Sequence, residues 1–147
     1  MSTAPAVPYW HLWTDADGIS HQSHCAMTEF DLESIKPPAE PQWQGWRASG
    51  RMTVLLTVLP VGWIGTWHEN PKPQWIVPLS GRWFVESMDG ARVEMGPGEL
   101  SFGGDQNCRQ TDGKRGHRSG AVGDEPAALI VIQLEDGPTQ SLACEFR

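Results

Sequence analysis

Residues 74–98, QWIVPLSGRWFVESMDGARVEMGPG, decide the fold. Three short β-prone runs, Gln74 to Leu79, Arg82 to Ser87 and Ala91 to Met95, are separated by Ser80-Gly81 and Asp89-Gly90 and closed by Gly96-Pro97-Gly98. Apolar runs of about five to seven residues between turn signals are the pattern of a sandwich or barrel. Asp89-Gly90 predicts a hairpin with a type I′ turn, which needs positive φ at both central residues. Alternation places Trp75, Val77 and Leu79 on one side of the first run and Gln74, Ile76, Pro78 and Ser80 on the other. In the second run it sets Trp83 and Val85 opposite Arg82, Phe84 and Glu86. Pro78 has no N–H to give a ladder, so it predicts an edge strand or a bulge.

The same punctuation continues outward. Met52 to Leu59, Trp63 to His68, Glu99 to Phe102 and Ala127 to Leu134 read as further strands, and the last, AALIVIQL, is apolar on both faces and so expected to be central. Gly18 to Leu32 suits one or two short strands. Residues 35–42, IKPPAEPQ, predict an extended connection, because each proline fixes φ and removes a donor. Thr28 to Ile35 has room for a turn or two of helix, but no stretch sustains a helical period. A chain of 147 residues can bury one core without staples. The expectation is an all-β single domain over 1–147, with 1–50 an N-terminal strand and loop extension and 51–135 the barrel core.

Formal net charge is −7 and the pI about 5.1, so no basic field attracts phosphate backbones or an anionic membrane surface. Nucleic acid is excluded as an expected partner. No apolar run approaches the ~20 residues of a membrane span, and the opening MSTAPAVPYW lacks the basic-then-apolar order of a secretory signal. A cytoplasmic location is expected. Cys25, Cys108 and Cys144 form no CxxC pair and are odd in number, so they read as free thiols of a reducing compartment. Eight tryptophans exceed the needs of a core this size and suit a barrel interior, a small-molecule pocket or a dimer interface. His21 and His24, three apart, fall on opposite faces of a strand and read as surface or interface residues.

The chemistry concentrates in two segments. Gly62 is followed after five residues by His68, then come Asn70, Gln74 and, after six more, Gly81. Gly98-Glu99-Leu100-Ser101-Phe102 leads through a long polar loop to Gly116-His117-Arg118-Ser119. These resemble the two cupin motifs, G-x5-H-x-H-x3-4-E-x6-G and G-x5-P-x-G-x2-H-x3-N, with Asn70 at the second histidine position and Gln74 at the glutamate position. WHENPKPQWIVPLSG, SMDG, GPGEL, GKRGH and VGDEP also resemble a subgroup of small bacterial cupins.

The resemblance implies a jelly-roll β-barrel, a homodimer, and a divalent metal (Fe, Mn, Ni or Zn) held by His68, Gln74 and His117. Neutral Asn70 is a poor ligand and neutral Gln74 lacks anionic charge, so such a site calls for a carboxylate, from Asp105 or Glu69. Two functions are then open. One is a metal-dependent oxygenase or lyase on a small molecule; the other is a metal-free pocket that isomerises, cyclises or simply binds its ligand, with His68 or His117 as general base and a neighbouring carboxylate as orienter. Trp67, Asn70, Trp83 and Arg109 are the expected substrate contacts, and a Trp-rich neutral pocket suits an aromatic ligand. Residues 103–116, GGDQNCRQTDGKRG, read first as a solvated polar loop, with the alternative of a mobile lid whose Arg109, Lys114 and Arg115 meet an anionic group, and with Cys108 a reactive thiol only if its pKa is lowered. There is no Ser/His/Asp order, P-loop or dinucleotide fingerprint.

Overall fold

The computed structural model describes residues 3–138 and 142–147. Its strands are β1 (Val7–Thr14), β2 (Ser20–Met27), β3 (Asp31–Glu33), β4 (Gln42–Gln44), β5 (Met52–Leu59), β6 (Gln74–Ser80), β7 (Arg82–Ser87), β8 (Arg92–Met95), β9 (Ser101–Gly104), β10 (His117–Val122) and β11 (Ala127–Leu134). No helix occurs among the described residues, so the all-β expectation is met and the helical turn over Thr28 to Ile35 is not formed. No helix is therefore long and apolar enough to cross a membrane.

A six-stranded sheet runs β2-β1-β9-β6-β11-β5, a three-stranded sheet β10-β7-β8, and β3 pairs with β4. Among the described residues only β1 and β9 pair in parallel; the other ladders are antiparallel. The main core lies between the two larger sheets, where Leu12, Leu59, Ile76, Leu129 and Val131 of one meet Trp83, Val85 and Met95 of the other. Burying each such side chain contributes about 1.5–3 kcal/mol. Residues 63–68, expected as a strand, make only two single bridges, Ile64 to Gly120 and His68 to His117, which fasten the β5–β6 connection to β10. The sheets face each other without closing into a continuous barrel. The N-terminal segment is no mere extension, because β1 sits inside the large sheet and buries Tyr9 and Leu12.

A second apolar cluster lies on the outer face of the six-stranded sheet, where Tyr9, Cys25, Met27, Trp75 and Phe102 pack beneath the C-terminal tail. Cys25 and Cys144 form a disulfide with Cα atoms 5.3 Å apart. This corrects the reading of three free thiols, and with it the argument for a reducing compartment; Cys108 alone is free. The tail is fixed further by Tyr9 Oη donating to the Phe146 carbonyl (2.9 Å) and by Cys144 N–H donating to His11 Nδ1 (3.1 Å). Trp75, on the opposite side of its strand from Gln74, is covered by Phe146 and Trp46, with ring centroids 5.3 and 5.4 Å away.

One of the alternatives at Pro78 holds, and one turn reading changes. Pro78 lies in an interior strand, and of its two explanations the bulge holds: Ser80 pairs with Ala128 and Pro78 with Leu129, so Leu79 is the extra residue. At Asp89-Gly90 only the glycine has positive φ (90°), so the turn is not type I′. Asp89 instead accepts from the Ser87 hydroxyl (2.5 Å) and Ala91 N–H (3.1 Å), holding a longer loop that ends in the left-handed glycine. His21 and His24 keep to opposite faces as parity requires, stacked on Trp13 and Trp10 respectively.

Candidate functional site

A cavity of about 200 Å³ lies between the sheets. Leu55, Thr57 and Leu59 of β5, Ile76 of β6, Leu129 and Val131 of β11 and Trp83 of β7 form its walls, and His68, Asn70, Gln74, His117, Ser119 and Gln133 its polar part. Strand parity delivers these side chains. Gln74 and Ile76 point inward together, and Gln133 sits directly opposite Gln74 in the β6–β11 ladder. His68 and His117 are joined by a reciprocal pair of backbone hydrogen bonds, both 2.9 Å, which bring their ring centroids to 4.7 Å. A larger apolar groove of about 300 Å³ lies under the tail on the outer face, but it lacks convergent imidazoles, so the chemistry belongs to the smaller cavity.

Two glycines permit the arrangement. A Cβ on Gly103, opposite Gln74, would come within 2.4 Å of Asn70 Nδ2. Gly116 has φ +80°, and a Cβ there would lie 2.3 Å from the His68 carbonyl oxygen.

The polar groups form one chain that ends on a carboxylate. Asp105 is fully buried and accepts from Asn70 N–H (3.0 Å), Asn70 Nδ2 (2.7 Å) and His117 Nδ1 (2.7 Å). An ionised carboxylate can only accept, and this orients every later member. Asn70 gives its amide N–H to Asp105, so its Oδ1 accepts from Gln74 Nε2 (2.6 Å). Gln74 Oε1 then accepts from Gln133 Nε2 (3.0 Å). Burial alone would raise the Asp105 pKa, but the His117 ring and the Asn70 donors outweigh it and hold the carboxyl below its ordinary range.

His117, 5% exposed, therefore carries its proton on Nδ1 and a lone pair on Nε2. His68 reaches the same tautomer by another route, since its Nδ1 donates to the Thr66 carbonyl (2.7 Å). Two imidazoles thus bring unprotonated Nε2 atoms to one cavity.

The structure brings His68, Asn70, Gln74, Trp83 and His117 together as expected. Asp105 stands behind His117, not beside it as a further ligand. Glu69 accepts from Cys108 N–H (2.8 Å) and Arg115 Nε (3.2 Å), away from the cavity. Trp67 neighbours His68 on an extended segment and so turns the other way, to lie near Lys114 and Arg118. Arg109 lines a separate groove with Thr14, Asp15 and Gly18, its N–H bonded to the Gly18 carbonyl (2.8 Å). The 103–116 loop is pinned at several points rather than hung as a lid: Cys108 Sγ contacts the Asp105 carbonyl (3.1 Å) and Thr14 Oγ1 (3.3 Å), and the Gly116 carbonyl accepts from Ser20 Oγ (2.6 Å). Burial pushes the Cys108 thiol pKa up, which removes the reason to read it as reactive. Gln133 was missed, although it is the polar member of an apolar strand and shares the inward parity of Leu129 and Val131.

The donor set does not complete the expected three- or four-ligand metal site. Both Asp105 oxygens and Gln74 Oε1 already accept hydrogen bonds, and among the described residues no group of three His, Cys, Asp or Glu side chains is placed to hold an ion. No protein-family model matches this chain, and no curated protein is significantly similar to it.

Proposed function

We propose that this chain is a cupin-type jelly-roll protein that binds a small neutral molecule between its sheets and moves a proton on it. His117 is the general base, Asp105 its orienting carboxylate, and His68 the second proton-handling group. The carrying observation is the hydrogen-bond chain that ends on Asp105, which commits His117 to the Nδ1–H tautomer and leaves Nε2 for the ligand. A base oriented by a third group is the general design of proton-transfer sites. Trp83 gives the cavity an aromatic wall. Apolar walls favour an aromatic body. The proton taken by His117 from one ligand atom returns to another, so the reaction is an isomerisation or cyclisation without net redox change. The cupin reading of the fold is supported by the spacing from Gly62 to Gly81, by the two facing sheets, and by the bridge that sets His68 of the β5–β6 connection beside His117 of β10 at one cavity.

The closeness of the two imidazole rings, with centroids 4.7 Å apart, supports a second reading, in which His68 and His117 hold a divalent Fe, Mn, Ni or Zn ion and the substrate completes its shell, as in an oxygenase or lyase. Protein purified without a metal-affinity tag, equilibrated with each of the four ions and submitted to elemental analysis, separates the two. Alongside it, deuterium incorporation from D2O into a panel of aromatic ketones and 1,3-dicarbonyls is followed by NMR. Background metal, with exchange that His117→Ala abolishes, is the expected result. One ion per chain, lost in His117→Ala, would put the metal reading in its place, and absence of exchange with every probe would reject the proton-transfer step.

A further inference from the structure

β10 is the wall that carries His117, and alternation along it puts the side chain of Ser119 on the same inward face. The backbone of Ser119 is held on both sides. Its carbonyl accepts from Gly65 N–H (2.8 Å), and the β7 ladder sets it opposite Val85. The residue is buried, yet its hydroxyl has no hydrogen-bond partner among the described residues. Nor is that oxygen sealed off, as the unpartnered ring nitrogens of His11, Trp75 and Trp83 are; the space it opens on is the cavity. A buried hydroxyl that bonds nothing destabilises a fold where alanine or valine would not. On this wall His117 Nε2 offers only a lone pair, and Ser119 is the group that can donate.

We propose that the Ser119 hydroxyl is the hydrogen-bond donor to a carbonyl oxygen of the ligand, and that the ligand is a small enolisable aryl carbonyl compound. This role depends on His117 acting as the base proposed above. Two positions apart on one strand, the two residues have Cα atoms about 6.6 Å from each other, so one H–C–C=O unit can meet both side chains. His117 Nε2 takes the α proton, the C–H electron pair forms a C=C bond, and the carbonyl π pair moves to oxygen. Ser119 keeps its proton and donates to that oxygen, more strongly as negative charge develops, so it stabilises the transition state more than the bound ketone. Return of the proton from Nε2 to carbon completes the exchange or the shift, with no oxidant or reductant. The cavity, about 200 Å³, falls below the ~300–1,000 Å³ of sites for drug-sized ligands, which limits the body to about one aromatic ring.

Infrared difference spectra of the full chain saturated with acetophenone, labelled with ¹³C at the carbonyl, test the contact, and exchange of the same ketone in D2O tests its effect on rate. In the wild type and in His117→Ala the carbonyl stretch is expected below its value in hexane; in Ser119→Ala it is expected to return to that value. Exchange in Ser119→Ala is expected to fall about 100-fold in kcat with KM little changed, whereas His117→Ala abolishes it. If Ser119→Ala alters the circular dichroism spectrum, Ser119→Cys, near in size and a weak donor, is read in its place. A downshift that persists without the hydroxyl would overturn the assignment by placing the oxygen on another donor, such as Thr57, and would leave the base intact. Absence of a bound carbonyl band at saturating ketone would overturn the ligand class. A downshift that needs Ser119, with no exchange in the wild type, would uphold the contact and reject the base.

Discussion

His117 faces the cavity and His11 lies under the C-terminal tail; both are buried, and the two regions use an imidazole in opposite ways. His117 donates from Nδ1 to a buried carboxylate and keeps Nε2 free. At His11 the Nδ1 accepts from Cys144 N–H, so the proton sits on Nε2, which has no partner among Tyr9, Phe102 and Phe146. Burial lowers the His11 pKa to about 4, and nothing ionised stands by to offset it. What distinguishes a reactive histidine from a structural one here is the partner on the second nitrogen, not the degree of burial.

The largest expected contrast comes from removing that partner. Asp105→Ala strands the Asn70 donors and His117 Nδ1–H in the interior and should cost about 3–5 kcal/mol in urea unfolding. His11→Phe removes one bond and one orphaned N–H together and should change stability by about 1 kcal/mol or less. Equal costs would remove the distinction between the regions.

The tail is the next lever. Cys144→Ser opens a covalent loop spanning 119 residues and should cost about 2–4 kcal/mol while leaving the cavity hydrogen bonds intact. Thermal unfolding gives the cost, and the imidazole NMR signals of His68 and His117 show whether the cavity felt the change.

Acid separates the two histidine regions by window. Unfolded His11 binds a proton at about pH 6.5 and folded His11 only at about 4, so its neutral form contributes full stability above the first value. That contribution, about 3 kcal/mol, is lost as pH falls to about 4. The depressed Asp105 acts lower: its stabilisation is complete above the ordinary carboxylate pKa near 4 and disappears as pH drops through its folded value. Denaturant midpoints of His11→Phe from pH 7 to 3 should therefore lose the upper slope and keep the lower one. A similarly small effect is expected for Gln133→Met, which takes the terminal donor from Gln74 Oε1 and should cost about 1 kcal/mol.

Strand alternation carried most of what was legible before the structure. It put Gln74 and Ile76 on one face, the missing N–H of Pro78 predicted the irregularity there, and the resemblance to the cupin motifs led to the expectation that His68 and His117 share one cavity. The same parity rule, applied to Trp67 beside His68, would have turned that tryptophan away from the site. The role of Asp105 was not legible, because the residues that define it, Asn70 and His117, lie 35 and 12 positions away and meet only when β9, β10 and the 69–73 segment close together. The Cys25–Cys144 bridge escaped for a similar reason: the tail after β11 carries no periodic pattern to show that it returns to β2. The turn at Asp89 was misread because its side chain, and not only its dihedral preference, builds the loop.

The account rests on where three protons sit, and long-range ¹H–¹⁵N correlation of histidine side chains at neutral pH observes them directly. His68 and His117 should show the Nδ1–H tautomer with unprotonated Nε2, and His11 the opposite, Nε2–H, tautomer. In Asp105→Asn the His117 preference should weaken while His11 stays unchanged. An Nε2–H signal from wild-type His117 would contradict the account, because the nitrogen assigned to take the proton would already hold one.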